Sequence, residues 1–429
     1  MFETLRNAWK VVDLRKKILF TLFIIIIYRI GGAIPVPFLD AALLGTLFAD
    51  DGGVFSYMNV LSGGTFSKGT LFALGVQPYI NASIIIQLLT YAIPALERMS
   101  KEGMEGRKKI TKITKYTALV IGLFQSWAYY LTMKNIGALY HTEGFAKIFT
   151  EIVIIACFTA GASLVVWLGD QISEKGLGNG MSMLIFAGIV ARGPAEVGNF
   201  IAYLKDGTTV QKIMVPVIII IFILMVGFVV FMNHAERRIP IQYAKRVVGR
   251  KQYGGQSSYI PIKIAMSGVL PIIFASAFVS LPSTLELFIK VKNPDGFYAH
   301  FLSWFKYTHP VYGILYFLLI IGFNFFYVSM QYNPVQIAND LRANNGGIPG
   351  IRPGRPTSEF IKRIFNKITI VGAFFLGVIA IFPIIFTATT GMNIAMGGTS
   401  MLILVSVALE TVRQLESQMM MRHHKGFLE

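Results

Sequence analysis

The residue types that most often carry catalysis or bind metals form no active-site pattern in this sequence. The histidines are scattered along the chain, and no H-E-x-x-H motif occurs among them. They are His141, His234, His300, His309, His423 and His424. Cys157 is the single cysteine, which excludes an internal disulfide and a cysteine metal cluster, and neither a P-loop nor a G-x-S-x-G motif is present. The sequence therefore predicts a protein that is not an enzyme and that needs no cofactor or metal.

Ionisable residues inside apolar segments form a second group of reactive side chains, and this group is small. Arg29, Glu286, Glu410 and Arg413 each lie near the end of their segment, where snorkelling or pairing explains them better than transport chemistry does. A proton-coupled transporter is expected to carry acids at mid-membrane. The polar residues there are mainly Ser83, Gln87, Gln125 and Ser276. A path without fixed charges suits a substrate that carries many kinds of side chain.

These residues belong to a chain with the composition of a polytopic membrane protein. Of its 429 residues, 54% are hydrophobic and 14% are charged, and the formal net charge is +17. About ten apolar segments are long enough to span a bilayer as helices. They cover approximately residues 18–34, 75–95, 116–134, 150–169, 181–200, 214–233, 267–289, 311–332, 368–388 and 397–415. The sequence thus predicts an all-α polytopic protein with ten transmembrane helices.

The loops that connect these segments fall into two alternating sets, which differ in their content of lysine and arginine. One set is richer by roughly three to one, and the positive-inside rule places that set and both termini in the cytoplasm. The predicted halves are residues 1–205 and 206–429, with five helices each. Two cytoplasmic loops, 234–264 and 333–367, are longer than a simple connection requires, and such loops often carry function.

Two short patterns recur, one copy in each half. Residues 75–83 and 268–276 both read G-V-x-P-x-I-x-A-S, and residues 180–185 and 398–403 both read G-x-S-M-L-I. The order of the two patterns is the same in each half, which indicates an internal duplication. Because each half has an odd number of helices, the second copy is predicted to be inverted in the membrane. Ile80 then corresponds to Ile273, and Ile185 to Ile403, around a central pore.

Two further segments are open to more than one interpretation. The tail of the segment 35–74 is mildly apolar and too short to span, so it is either a short re-entrant helix that ends at Gly63 and Gly64 or an ordinary outer loop. Arg352 lies between glycines and prolines at the predicted tip of the loop 333–367. It either docks a partner or only adds to the inward positive charge.

Several longer stretches resemble one family throughout the chain. They are Asn59-Val60-Leu61-Ser62-Gly63-Gly64, Pro78 to Leu89, Gly178-Asn179-Gly180, Tyr243-Ala244-Lys245-Arg246 and Pro349-Gly350-Ile351-Arg352-Pro353-Gly354. In combination they resemble the bacterial SecY family, the central subunit of the protein-conducting channel. The resemblance implies a SecY-like fold of two five-helix halves around an hourglass pore, with a lateral gate, in the bacterial cytoplasmic membrane.

The resemblance also implies roles for particular residues. The pore ring maps to Val76, Ile80, Met181, Ile185, Ile273 and Ile403, where Val76 and Met181 depart from the family's preference for isoleucine. The plug helix covers about 57–66 and includes Tyr57, Met58, Asn59, Val60, Leu61, Ser62, Gly63 and Gly64. The lateral gate includes Ser83, Gln87, Gln125 and Ser276. Residues for docking a motor or a ribosome are Arg250, Lys251 and Arg352.

The partners that the resemblance implies are proteins, membrane lipid and translocating chains. They are SecE, SecG, the SecA ATPase, the ribosome, signal sequences and nascent membrane-protein segments, and no nucleic-acid function is expected beyond ribosome contact. Two other classes remain as alternatives. A secondary transporter with inverted repeats requires a small-ligand site at mid-membrane, and a structural scaffold would show no gated conductance when Ile80 is changed.

Overall fold

The computed structural model describes residues 6, 8–41, 43–44, 59, 62–140, 144–243, 246–248, 251–253, 257–286, 297–305, 309–390 and 398–423. Helices of the first half are α1 (Val12–Gly31), α2 (Gln77–Ala92), α3 (Pro94–Lys101), α4 (Met104–Ile136), α5 (Gly144–Lys175) and α6 (Gly180–Asp206). Those of the second half are α7 (Thr209–His234), α8 (Leu270–Glu286), α9 (Phe297–Trp304), α10 (Pro310–Gln331), α11 (Pro334–Ala343), α12 (Arg355–Thr390) and α13 (Gly398–His423). The strands are β1 (Glu236–Tyr243), β2 (Arg246–Val248), β3 (Lys251–Tyr253), β4 (Ser257–Lys263) and β5 (Gly346–Gly347).

Each of the ten predicted apolar segments overlaps a helix in the described part of the chain. Within the described residues, five helices are long and apolar enough to cross a membrane by length and composition alone, or six if α2 and α3, bent by 100°, form one span. The other helices have polar ends or are short. In α1, for example, Arg15, Lys16, Lys17 and Arg29 flank the apolar centre. The chain is a helical, multi-pass membrane protein.

The duplicated nine-residue pattern has the same local structure in both halves. Gly75 and Gly268 have positive φ angles of 52° and 61°, a conformation that glycine adopts without steric cost. The amide of Ile80 donates to the carbonyl of Val76 at 3.1 Å, and the amide of Ile273 donates to the carbonyl of Val269 at 3.3 Å. A left-handed glycine therefore begins α2 and α8 in the same way and places Ile80 and Ile273 on the first turn of each helix.

Each half has its own hydrophobic core. The first joins the segments 36–44 and 66–74 to α4 and α5, with Tyr130, Met133 and Phe158 fully buried. The second joins α7, α8, α10, α12 and α13. The inward faces of these helices bury apolar area against other helices, whereas their outward faces contact lipid.

The two long loops contain strands, which an all-α prediction did not include. β1 pairs antiparallel with β4 and also with β5, so the loops 234–264 and 333–367 share a sheet of order β4-β1-β5. Ile239, Ile241 and Ile262 of this sheet are buried against Phe365 of α12 and Leu341 of α11. β2 and β3 form a second, two-stranded hairpin beyond β1 and β4. The loops are therefore one folded structure rather than two independent connections.

The halves touch each other unequally on their two sides. On one side, Leu14 and Leu177 pack against Leu415 of α13, and the Lys17 ammonium donates to Gln418 Oε1 at 3.2 Å. Near the α6–α7 connection, Phe200 packs in a cluster with Phe386 and other side chains of α7 and α12. Elsewhere, α2 packs mainly on α4 and α8 packs mainly on α10, each within its own half, whereas α6 packs on both α7 and α13 of the second half. The halves are thus joined more extensively on the α6–α7 side.

A glycine contact between α5 and α6 is expected to be intolerant of substitution. A Cβ on Gly180 would lie 1.8 Å from the carbonyl oxygen of Gly169. We expect Gly180→Ala to separate the two helices and to destabilise the protein by about 1–3 kcal/mol, the usual cost of overpacking. The measurement is the melting temperature of the detergent-solubilised protein. Gly193→Ala, on the same helix with open space around its Cβ position, is the control, and an equal loss in both variants would contradict this interpretation.

Candidate functional site

The six residues assigned to the pore ring from the sequence lie in one hydrophobic cluster. Val76, Ile185, Ile273 and Ile403 are buried there, and Ile80 and Met181 are partly buried against them. They come from α2, α6, α8, α13 and the residue that precedes α2, so both halves contribute. The structure therefore brings together side chains that are more than 300 residues apart in the sequence.

Glycines and aromatic rings hold this aliphatic cluster in place from the side of the first half. Met181 Sδ would lie 2.6 Å from a Cβ on Gly169, so a side chain there would force Met181 to shift from its position in the cluster. The Tyr28 and Phe72 rings stack with their centroids 5.8 Å apart and belong to the same cluster. The close approach of α5 and α6 at Gly169 and Gly180 fixes the position of Met181.

The described part of the segment assigned to the plug is a turn that docks beside the aliphatic cluster. Gly63 has φ of 72°, and a Cβ on it would lie 3.0 Å from Gly188 Cα in α6 and 2.5 Å from Arg29 Nη1 in α1. The Gly64 amide donates to the Asn59 carbonyl at 2.7 Å, and the Ser62 hydroxyl donates to the same carbonyl at 3.2 Å. Tyr57, Met58, Val60 and Leu61 lie outside the described residues.

The polar residues assigned to the lateral gate lie on three helices. On α2, the Gln87 Nε2 donates to Ser83 Oγ at 3.0 Å. On α8, the Ser276 hydroxyl donates to the carbonyl of ring residue Ile273 at 2.8 Å. Gln125 is on α4, and its Oε1 is buried without a protein hydrogen-bond donor among the described residues. These amides and hydroxyls therefore lie on helices of both halves, and their role at a gate stays a prediction.

An aromatic contact connects the two halves across these helices. The ring of Tyr91, near the end of α2, meets the ring of Phe326 in α10 edge to face, with centroids 5.8 Å apart. Phe274 of α8 contacts Phe323 of α10 in a similar geometry at 5.8 Å. The first contact crosses between the halves, and the second lies within one half. We name the boundary between α2 and α10 at Tyr91 and Phe326 the seam.

The charged residues that the sequence placed in membrane segments have different environments. Arg413 Nη2 donates to the Asn233 carbonyl at 2.8 Å and so satisfies an acceptor at the end of α7. Arg29 packs against the plug turn, and Glu410 is exposed on α13. The side chain of Glu286 lies outside the described residues. Pairing, which the sequence analysis favoured, is therefore found at Arg413.

Sequence reasoning missed one buried carboxylate in α6. Glu196 is only 2% exposed, and Arg192 Nη2 lies 3.7 Å from its Oε1, one helical turn away. Both residues lie within the predicted apolar segment 181–200, but the intramembrane charges identified from the sequence did not include them. The sequence pattern that could have revealed this pair is its spacing, because Arg192 and Glu196 are four residues apart in a predicted helix. Arg192 and Glu196 therefore join the charged residues that lie inside predicted membrane segments.

The candidate docking residues lie at the sheet end of the molecule. Arg352 is exposed between Gly350 and Gly354, whose φ angles are 79° and 99°. Its carbonyl accepts a hydrogen bond from the buried Thr357 hydroxyl at 2.8 Å, which ties the tip of the loop to the start of α12. Lys251 begins β3, and Arg250 lies outside the described residues. The structure therefore presents Arg352 on a supported turn.

A cluster of charges surrounds the base of this sheet. Lys263 of β4 lies near Arg413 and Glu410 of α13 and near Glu236 of β1. Burial lowers the pKa of the Lys263 ammonium, Arg413 lowers it further, and the two carboxylates offset part of the change. The sheet is thus electrostatically linked to the helix that carries ring residue Ile403.

Comparison with solved structures identifies the class of this fold. A solved protein-conducting channel aligns with a TM-score of 0.60 at 18% identity, covering 95% of this chain and 93% of that one. A SecY channel whose plug domain was described as stabilising the closed state aligns with a TM-score of 0.61 at 19% identity, covering the same shares. Sec61 from a canine ribosome–channel complex aligns at 0.57 and 17% identity, also over 95% and 93%. The chain has the fold of the protein-conducting channels.

Sequence comparison then establishes the family. A family model described as SecY matches residues 70–412. The protein translocase subunit SecY of Mycobacterium bovis is 42% identical over 449 aligned positions, and that of Streptomyces galbus is 41% identical over 447, with all of each chain covered. The chain belongs to the SecY family of protein translocation channel subunits, which are not enzymes. The resemblance inferred from the sequence is confirmed.

Proposed function

We propose that this protein passes unfolded secretory polypeptides through a pore closed by the six-residue aliphatic ring and the plug, and that it releases hydrophobic segments sideways into the bilayer. The observation that supports this proposal best is the convergence of Val76, Ile80, Met181, Ile185, Ile273 and Ile403, from both halves, in one cluster. The turn at Gly63 and Gly64 lies beside this cluster, which supports its proposed role as a second barrier on the same path.

The chemistry of the ring suits a gate for polypeptide. A narrow aliphatic constriction favours dewetting, so water and ions meet a barrier while the channel rests. Isoleucine, valine and methionine side chains yield to an extended chain and hold no fixed charge that would retain it. The positive φ angles of Gly63 and Gly64 and the close approach of Gly63 to Gly188 support this role, because in our proposal a turn that docks by such contacts can be displaced when a chain enters.

The seam between α2 and α10 supports a lateral exit. A segment of about ten leucine-like residues gains about −5 kcal/mol on entering lipid, which exceeds the cost of about +3 kcal/mol for one central charge. A hydrophobic segment that reaches the pore is therefore driven through an opening in the seam, whereas a polar segment continues along the pore. Ser83, Gln87, Gln125 and Ser276 line this exit in our proposal.

The protein holds no energy source in this proposal, so partners must supply it. The solved Sec61 relative belongs to a ribosome–channel complex, and we infer a ribosome or the SecA ATPase as the partner at Arg250, Lys251 and Arg352. SecE is proposed to clamp the α6–α7 side, with SecG as an accessory subunit. The excess of basic residues on one set of loops supports an orientation with both termini in the cytoplasm, and the bacterial SecY relatives support a location in the bacterial cytoplasmic membrane.

Cross-linking the seam tests this function. We expect a short bis-maleimide link between Tyr91→Cys and Phe326→Cys, in a Cys157→Ser background, to reduce translocation of a secretory precursor into reconstituted vesicles to the level of protein-free vesicles. The two rings are 5.8 Å apart across the halves, so the link prevents the seam from widening. The measurement is the amount of precursor protected from protease.

A matched pair within one half provides the control for this experiment. Phe228 of α7 and Phe375 of α12 have ring centroids 5.0 Å apart, and linking cysteines at these positions leaves the seam free. Translocation in this variant is expected to equal that of the unlinked protein. If the seam link leaves translocation unchanged while gel analysis shows that it has formed, the proposed gate is wrong.

A further inference from the structure

A groove on the outside of the second half begins on α10. Ile314 and Leu318 are 63% and 59% exposed, and they project from the same face of α10 as Phe325 and Ser329, at steps of four and seven residues. In a multi-pass protein, a continuous stripe of exposed aliphatic side chains is a surface for lipid hydrocarbon. This stripe therefore leads from the hydrocarbon region towards the sheet end of α10.

The opposite wall of the groove is α12. Ile370, Phe374 and Val378 are exposed at steps of four residues, and Asn366 continues the same face one turn earlier. The Phe374 ring contacts Phe317 of α10 edge to face at 6.2 Å. The two helices thus enclose a valley with an apolar floor along the surface that faces lipid.

The valley ends in a cavity of ≈ 670 Å³ between α10, α11 and α12. Its apolar lining includes Phe325, Val328, Tyr332 and Phe365, and the last two rings lie 5.4 Å apart. This volume lies within the range of sites that hold a small ligand or part of a lipid. The cavity is continuous with the exposed valley because Phe325 belongs to both.

The rim of the cavity is polar and carries a cation that is not used in an ion pair. Arg355 and Glu359 neutralise each other, with Nε and Oε1 3.0 Å apart. Lys362 and Asn366 line the cavity on the same face of α12, and no ion pair of Lys362 occurs among the described residues. Thr369, about 10 Å along the helix from Lys362, lies close to the start of the predicted span. Lys362 is therefore at the depth of lipid headgroups.

We propose that this cavity binds an anionic phospholipid. The phosphate is held by the Lys362 ammonium and the Asn366 amide, and one acyl chain occupies the valley between α10 and α12. Basic pockets between membrane helices are suited to anionic headgroups, and here the floor of the pocket continues directly into the lipid-facing surface.

Native mass spectrometry of the full-length protein, purified in detergent with its associated subunits, tests this proposal. Phosphatidylglycerol or phosphatidylcholine is added, and the bound fraction is measured. We expect Lys362→Gln to weaken phosphatidylglycerol binding about fivefold, equivalent to the ~1 kcal/mol that one lysine contributes near an anionic surface. Lys367→Gln removes the same charge from the same helix outside the cavity and is expected to have no effect.

A second variant tests the acyl chain without a change of charge. Ser329→Trp fills the mouth of the valley on α10 and is expected to reduce binding of phosphatidylglycerol strongly. Three results would overturn the proposal. The first is an equal loss of phosphatidylglycerol binding in Lys362→Gln and Lys367→Gln, which indicates diffuse electrostatics. The second is equal binding of the two lipids by the unmodified protein. The third is unchanged binding in a folded Ser329→Trp variant, which places the lipid elsewhere.

Discussion

Replacing Ile80 and Ile273 together by glycine is expected to raise the resting ion leak of reconstituted vesicles. The two residues occupy equivalent positions in the duplicated pattern, and both lie in the aliphatic cluster that includes Ile185 and Ile403. Removing two facing side chains widens and hydrates the constriction, so the dewetting barrier falls. A barrier lower by about 1.4 kcal/mol raises the flux about tenfold. The measurement is the decay of an ion gradient across vesicles that contain equal amounts of each protein.

The control for the ring must carry the same substitutions away from the pore. Ile220 and Ile223 are 58% and 64% exposed on α7, and their replacement by glycine removes two isoleucines from a helix that faces lipid. Glycine lowers helix propensity by a similar amount at all four positions, so a general loss of stability affects both variants. An unchanged leak in the ring variant, or an equal leak in the control, means that the pore axis has been misplaced.

Charge reversal at Arg352 is expected to abolish partner-driven translocation without preventing insertion into the membrane. The guanidinium is exposed on a turn held by the Thr357 hydroxyl, so little ordering is required when it docks. Arginine offers a planar fork of donors that lysine cannot reproduce. Losing a charged contact of this kind costs ~2 kcal/mol or more, which corresponds to docking about 30-fold weaker. Arg352→Lys is expected to be partly defective. The measurement is ATP-driven export of a secretory precursor into inverted vesicles.

Arg363→Glu is the control that distinguishes an effect on partner docking from an effect on membrane topology. Arg363 is exposed on α12, so its reversal changes the net charge on the same side of the protein by the same amount. If Arg352 only contributes to the inward positive charge, it is one of many lysines and arginines on the inward loops, and both reversals are tolerated. Wild-type export by Arg352→Glu would therefore remove Arg352 from the proposed docking surface.

The membrane helices and the internal repeat could be read from the sequence because both depend on local properties. A run of about twenty apolar residues forms a helix in lipid whatever surrounds it, since every backbone polar group must be satisfied within the segment. The glycine at the start of each nine-residue pattern sets a local turn, and the structure shows the same turn at Gly75 and Gly268. The equivalence of Ile80 and Ile273 in the two halves follows from this repeat without any knowledge of the fold.

The structured loops required tertiary information. The sequences Ile239-Pro240-Ile241 and Ile260-Pro261-Ile262 have the alternation of a half-buried strand, but proline within a short run argues against a strand. In the structure these segments pair with each other, and Tyr243 pairs with Gly346 about a hundred residues later. Pairing over such a separation depends on how α11 and α12 pack beneath the sheet, which no local pattern specifies.

The sequence by itself determined the class of this protein: a membrane-spanning, duplicated chain whose motifs resemble the SecY family. Only the tertiary structure decided which side chains meet. It placed Gly63 against Gly188 and Arg29, buried Glu196 beside Arg192, and opened the valley that ends at Lys362. The physical reason is that helix formation in lipid depends on local composition, whereas close approaches, buried charges and cavities depend on how the surfaces of distant helices fit together.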